Sequence, residues 1–123
     1  MRVGAVGGVG EERRPLPPTL IMEIRVASLT DVPVGEPKYV ETEGKAMVLV
    51  RVGESVYACS DVCTHQGGPL SEGQLSGTRL TCPWHGWSFD VKTGTCLMPS
   101  RGGAVPSYPT RVDEAGSVWV DLP

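Results

Sequence analysis

The sequence predicts an all-β protein, and three observations support that prediction. First, 16 Gly and 11 Pro among 123 residues favour many turns and few long helices. Second, short runs rich in β-branched and aromatic residues alternate with Gly-containing turns. Third, no apolar stripe with the 3.6-residue period of a helix is visible. With 40% hydrophobic residues, a chain of this length is expected to form one domain.

Strand-like runs lie on both sides of a Gly- and Pro-rich central segment. These runs are, in chain order, residues 22–27, 38–42, 46–52, 56–59, 108–112 and 117–122. Gly44 and Gly53 lie in the links around the third run, and both links are typical of hairpin turns. Residues 113–116 form a similar link between the last two runs. The central segment, about residues 60–99, is expected to form loops on a rigid β base.

Residues 1–21 differ in composition from the rest of the chain. They are dominated by Gly, Pro and charged residues, and the first strand-like run begins immediately afterwards at Met22. We therefore expect residues 1–21 to be a disordered extension, or the result of a start assigned too far upstream, and the domain to cover residues 22–122. Arg13-Arg14 is followed by Pro15 rather than by an apolar stretch, so an export signal is not expected.

Charge and hydropathy restrict the classes of partner. The net charge of -3 gives no attraction for nucleic acid or for an anionic membrane surface. No run of about 18 apolar residues is present, so we predict no transmembrane helix. We therefore expect a soluble protein of the cytoplasm with a protein partner.

Two short motifs carry the chemistry. Cys63-Thr64-His65 and Cys82-Pro83-Trp84-His85 each pair one thiol with one imidazole, and these are the chain's only 2 His. Thiolate and imidazole ligands suit both iron–sulfur clusters and zinc. Structural zinc sites usually pair like ligands, as in C-x2-4-C, whereas both motifs here are mixed. Zinc, a disulfide framework and simple burial of these side chains remain alternatives to an iron–sulfur cluster.

The order C-x-H, a spacer of 16 residues, then C-x-x-H resembles the ligand pattern of Rieske 2Fe-2S proteins. The resemblance extends to residues 67–70 and 86–90 and, loosely, to the flanking strands through Leu122. It implies an antiparallel β-sandwich base with a small inserted cluster-binding subdomain at about residues 60–99. It also implies one 2Fe-2S cluster, with Cys63 and Cys82 on the inner iron and His65 and His85 on the outer iron near the surface.

The chain departs from high-potential members of that family at four positions. Those members resemble one another in a disulfide between the cluster loops and in Ser and Tyr hydroxyls that donate to the cluster. Here Gly68 and Trp84 stand in place of the two Cys, and Trp87 and Phe89 in place of Ser and Tyr. We therefore predict a reduction potential below about 0 mV, near the low end of the family range of roughly -150 to +300 mV.

These loops resemble those of soluble Rieske ferredoxins, which pass electrons from a flavin-dependent reductase to a terminal ring-hydroxylating oxygenase. The resemblance implies an electron-transfer protein rather than an enzyme. The alternative is a small Rieske subunit that serves the large subunit of an assimilatory nitrite reductase-like complex.

Five further side chains carry weaker expectations. We expect Cys59 and Cys96 to be reduced, mostly buried thiols, and Asp61 to be a solvated surface residue or a turn cap. Trp84 and Trp87 are expected either to cover the cluster or to belong to an apolar docking patch around it.

Overall fold

The computed structural model describes residues 22–64, 67–84, 86–99 and 102–122. The predicted extension at residues 1–21 lies outside the described residues, as do His65 and His85. Two 3₁₀ helices are present in the described part, Leu29–Asp31 and Leu70–Glu72. No helix there has the length and apolar character needed to span a membrane.

The prediction of an all-β fold is confirmed. In chain order, the strands of the described residues are β1 (Met22–Ser28), β2 (Lys38–Thr42), β3 (Lys45–Val52), β4 (Ser55–Ser60), β5 (Gln74–Ser76), β6 (Arg79–Thr81), β7 (Ser88–Asp90), β8 (Cys96–Met98), β9 (Ser107–Tyr108), β10 (Thr110–Val112) and β11 (Ser117–Leu122). They form three antiparallel sheets with the orders β1-β11-β10, β2-β3-β4-β9 and β5-β6-β7-β8.

The sheet β2-β3-β4-β9 takes part in two hydrophobic cores. Successive side chains of a strand point to opposite faces, so Met47 and Leu49 of β3 lie on one face and Val48 and Val50 on the other. Met47 and Leu49 share a core with Val118 of β11. Val48 and Val50 instead join the core of the sheet β5-β6-β7-β8. All four are fully buried because both faces of β3 are covered.

The hairpins follow the turn residues that predicted them. Between β2 and β3, Glu43 and Gly44 have φ values of 51° and 75°, as a tight turn of the primed type requires. Between β10 and β11, the Asp113 carboxylate accepts the backbone N–H groups of Ala115 and Ser117, both at 2.9 Å.

Our prediction of one strand at residues 108–112 is wrong, because Pro109 divides this run. Tyr108 of β9 pairs with Ala58 of β4, whereas Thr110 of β10 pairs with Val120 of β11. Proline has no N–H to donate to a ladder, so Pro109 interrupts the run where the chain passes from one sheet to another, and only its carbonyl pairs, with the Asp121 N–H at 3.0 Å.

The central segment contains a sheet that the sequence did not predict. Strands β5 to β8 have three residues each and lie within the segment expected to form loops. Leu80 and Phe89, which are paired across β6 and β7, are fully buried and fix this sheet on the core that it shares with Val48.

Candidate metal centre

Cys63 lies in a tight loop, residues 63–68, which we call the first Cys loop. The Cys63 N–H donates to the Gly68 carbonyl at 2.9 Å, and the Gly67 N–H donates to the Cys63 carbonyl at 2.9 Å. Gly67 has a φ of 76°, in the left-handed region that favours glycine. A β-bridge between Val62 and Pro69 closes the base of the loop. The sequence therefore returns the chain on itself around the Cys63 thiol.

Cys82 lies in a second loop of equal length, residues 82–87, which we call the second Cys loop. The Cys82 N–H donates to the Trp87 carbonyl at 2.6 Å, and the Gly86 N–H donates to the Cys82 carbonyl at 3.1 Å. Gly86 has a φ of 77°. The two loops thus repeat one backbone pattern. In each, the Cys carbonyl accepts the N–H four residues later, and the Cys N–H donates to the carbonyl five residues later.

The fold brings the two Cys loops together at Gly68. A Cβ built on Gly68 would lie 2.8 Å from Cys82 Sγ, while the Gly68 carbonyl accepts the Cys63 N–H. Both thiols are almost fully buried, with 2% of Cys63 and 3% of Cys82 exposed, and both belong to the same core. The structure therefore brings the two Cys loops together at Gly68.

Asp61 links the chain segments that precede and follow the first Cys loop. It is buried, and its Oδ1 accepts the Ser71 N–H at 2.5 Å. Burial raises the pKa of the Asp61 carboxyl, although the hydrogen bonds from Ser71 oppose that shift. The cap that we expected is confirmed, but a solvated position for Asp61 is wrong.

A third segment contacts both Cys loops. Thr64 Oγ1 donates to the Gly103 carbonyl at 3.1 Å. A Cβ built on Gly102 would lie 2.8 Å from Trp87 Cζ3 and 2.5 Å from Cys96 Sγ, so this glycine fits tightly against the second loop. Sequence analysis did not identify this segment as part of the site, because nothing local relates residues 102–103 to residues nearly forty positions earlier.

None of the four Cys forms a disulfide, which argues against a disulfide framework. Burial, together with the negative charges of Asp61 and Asp90, raises the pKa of the Cys59 thiol to about 12. Cys96 Sγ donates to the Pro99 carbonyl at 3.2 Å. The expectation that Cys59 and Cys96 are buried is confirmed, and neither forms a disulfide.

The tryptophans of the second Cys loop differ in environment. Trp87 is half-buried and packs against the core that contains both Cys. Trp84, by contrast, is 55% exposed. Trp87 therefore packs on the core beneath the loops, whereas about half of Trp84 faces solvent and its ring also contacts Gly68.

Comparison with protein families decides the class. The model of the family described as "Rieske [2Fe-2S] domain" matches residues 22–109 of the chain. The chain belongs to the Rieske family. This membership indicates a 2Fe-2S cluster, and it accounts for two Cys loops held side by side on a β scaffold.

Rieske ferredoxins are among the most similar proteins. The chain is 34% identical over 99 residues to the ferredoxin component of the naphthalene 1,2-dioxygenase system of Pseudomonas aeruginosa, covering 80% of this chain and 94% of that relative. The ferredoxin of carbazole 1,9a-dioxygenase from Nocardioides aromaticivorans IC177 superposes with a TM-score of 0.75 and 32% identity, over 80% of this chain and 95% of that chain. A structure described as a complex of reduced oxygenase and oxidized ferredoxin in carbazole 1,9a-dioxygenase gives a TM-score of 0.73 and 34% identity, over 79% and 99%.

The described residues fit such a cluster. Cys63 and Cys82 are buried in one core and neither forms a disulfide, and thiolates are the ligands that iron–sulfur clusters prefer. Among the described residues, no group of three or more His, Cys, Asp or Glu could hold a metal ion. The chain's two His lie within the Cys loops in sequence.

Proposed function

We propose that the chain carries one electron at a time on a 2Fe-2S cluster held by Cys63, His65, Cys82 and His85. The observation that carries this proposal is the repeated backbone pattern of the two Cys loops, which meet at Gly68. Each loop contains one His between its Cys and its left-handed glycine, so each can offer one thiolate and one imidazole. When bound, the cluster supplies reversible one-electron chemistry.

The four ligands are proposed to have two different roles. Cys63 and Cys82 bind the inner iron, because their thiols are buried in the core. His65 and His85 bind the outer iron, where an electron can leave over a short path. Neutral imidazoles in place of two thiolates make the cluster less negative and therefore easier to reduce.

The residues around the Cys loops favour a potential near the low end of the family range. Trp87 and Phe89 stand where hydroxyl donors would raise the potential, and Phe89 is fully buried in the core. Hydrogen bonds to the sulfurs stabilise the reduced, more negative cluster, so their absence lowers the potential. We therefore expect a midpoint below about 0 mV on redox titration.

The proposed partners are a flavin-dependent reductase and a terminal oxygenase. Support comes from relatives named as ferredoxin components of dioxygenase systems and from the neighbour described in complex with its oxygenase. On this proposal the chain is a soluble, cytoplasmic electron carrier, and catalysis takes place on the oxygenase.

The surface of the two Cys loops suits brief contacts with such partners. Their described residues, 63–64, 67–68, 82–84 and 86–87, contain no charged side chain. Trp84 of the second loop is 55% exposed, and Val62, next to the first loop, is 50% exposed. A small apolar contact of this kind favours weak, transient association, which a shuttle between two partners requires.

Single substitutions test the ligand set. C63S, C82S, H65A and H85A should each abolish or severely reduce the iron and acid-labile sulfide bound per chain. C59S and C96S are matched controls, because both remove a buried free thiol that is not a proposed ligand. If C59S or C96S removes the cluster while C63S or C82S retains it, the assignment is wrong.

A further inference from the structure

We propose that Trp84 is a positioning residue: its indole packs on Gly68 and so holds the second Cys loop against the first. The same contact keeps water from the Cys82 sulfur. The proposal rests on the proposed function, since it concerns how the loops retain a cluster. It adds a role for a side chain that is not a ligand.

The first argument is the space around Gly68. A Cβ built there would lie 2.8 Å from Cys82 Sγ, 3.0 Å from Trp84 Cδ2 and 3.1 Å from Trp84 Cγ. The Trp84 ring and the Cys82 sulfur therefore together occupy the place where a side chain at position 68 would be. The indole of one loop rests directly on the backbone of the other.

The second argument is the reason for glycine at this position. Gly67 has a positive φ and open surroundings, with only Val62 Cγ1 at 3.9 Å from a built Cβ. The φ of Gly68 lies outside the left-handed region, so its backbone conformation does not require glycine. At position 67, glycine is therefore favoured by the backbone conformation. At position 68, glycine is required because Trp84 and Cys82 leave no room for a Cβ.

The third argument concerns the backbone hydrogen bonds of the loops. Among the described residues, those of Cys63 and Gly67 run within the first Cys loop and those of Cys82 and Gly86 run within the second. No disulfide joins the Cys of the two loops. The contact between Trp84 and Gly68 is therefore a link that the polypeptide itself supplies when the cluster is distorted or leaving.

The exposure of Trp84 agrees with this role. The side chain is 55% exposed, so close to half of it is covered. An apolar contact of about 50 Å² is enough to change a rate by roughly tenfold, so only part of the covered surface has to lie on the first loop. Without the ring, water would reach the sulfur side of the site, and solvation would favour the more negative reduced state.

The test compares W84A, W84L and W84F with M98A. Met98 on β8 is 56% exposed, so M98A removes a similarly exposed large apolar side chain from a neighbouring strand. The measurements are the rate at which visible absorbance disappears in an iron chelator and the midpoint potential by redox titration. Far-UV circular dichroism checks that each variant retains the β fold.

We expect W84A to lose its cluster about tenfold faster than the wild type and to show a higher midpoint potential. W84F should remain close to the wild type, because a phenyl ring can still cover Gly68, W84L should be intermediate, and M98A should be unchanged. If W84A is isolated without a cluster, the comparison rests on W84F against W84L.

Three results would overturn the proposal: a W84A rate within about twofold of the wild type, an equal acceleration in M98A, or no advantage of Phe over Leu. A coloured wild type with an unaffected W84A rejects this role alone. A colourless wild type rejects the proposed function itself.

Discussion

Replacing Gly68 with Ala would place a Cβ 2.8 Å from Cys82 Sγ and 3.0 Å from Trp84 Cδ2. Non-bonded heavy atoms are comfortable at about 3.5–4.0 Å, so the sulfur would have to move by roughly 1 Å. Metal–ligand distances tolerate deviations of only about 0.2 Å. The displacement is therefore several times larger than the site can absorb, and we expect G68A to lose most of its cluster.

The assay for G68A is iron and acid-labile sulfide per chain, together with visible absorbance. G103A is the matched control, because a Cβ on Gly103 meets nothing within 4 Å and its φ is not positive. G68A/W84A should remain defective, since removal of the indole does not relieve the contact with Cys82. Full iron and sulfide content in G68A would refute the reasoning.

Three further predictions concern groups outside the ligand set. Ser88 Oγ is buried without a hydrogen-bond partner among the described residues, so S88A should raise the free energy of unfolding of the apoprotein by about 1 kcal/mol; a loss of stability in urea unfolding would contradict this. Hydrogen bonds, first from the Trp119 indole and then from the Ser117 N–H, lower the pKa of Asp113. This carboxylate therefore stabilises the fold above its unfolded pKa, and that contribution is lost as the pH falls through the lower folded pKa. The melting temperature of the wild type should accordingly approach that of D113N in acid. A difference in melting temperature that does not change with pH would argue against these hydrogen bonds to Asp113. Finally, Cys59, whose thiol pKa is raised to about 12 by burial, should escape alkylation in the native protein near pH 8, as mass spectrometry can check, and rapid labelling would contradict its environment.

The sequence predicted those parts of the fold that depend on local patterns. Strands β2, β3 and β4 are long enough for β-branched residues to mark them, and their turns contain glycines with positive φ. Strands β5 to β8 were missed because three residues are too few to display an alternation of buried and exposed side chains. The division at Pro109 was missed because the residues on either side of it favour strand.

The same distinction holds for the site. The motifs around Cys63 and Cys82, through their resemblance to Rieske ligand loops, predicted a pair of Cys loops, and each Cys does occupy a tight loop that contains a left-handed glycine. The contribution of Gly102 and Gly103 depends on tertiary packing against Trp87 and Thr64, which no local pattern encodes. Burial of Asp61 was likewise missed, because its cap to Ser71 spans ten residues and forms inside the fold.

The central claim is that two Cys and two His hold one 2Fe-2S cluster. The most direct test is the electron paramagnetic resonance spectrum of anaerobically purified wild-type protein after reduction with dithionite. The account predicts a brown protein whose reduced form has an average g value well below the free-electron value, as mixed Cys/His ligation requires. A colourless, spin-silent protein that contains zinc would contradict it.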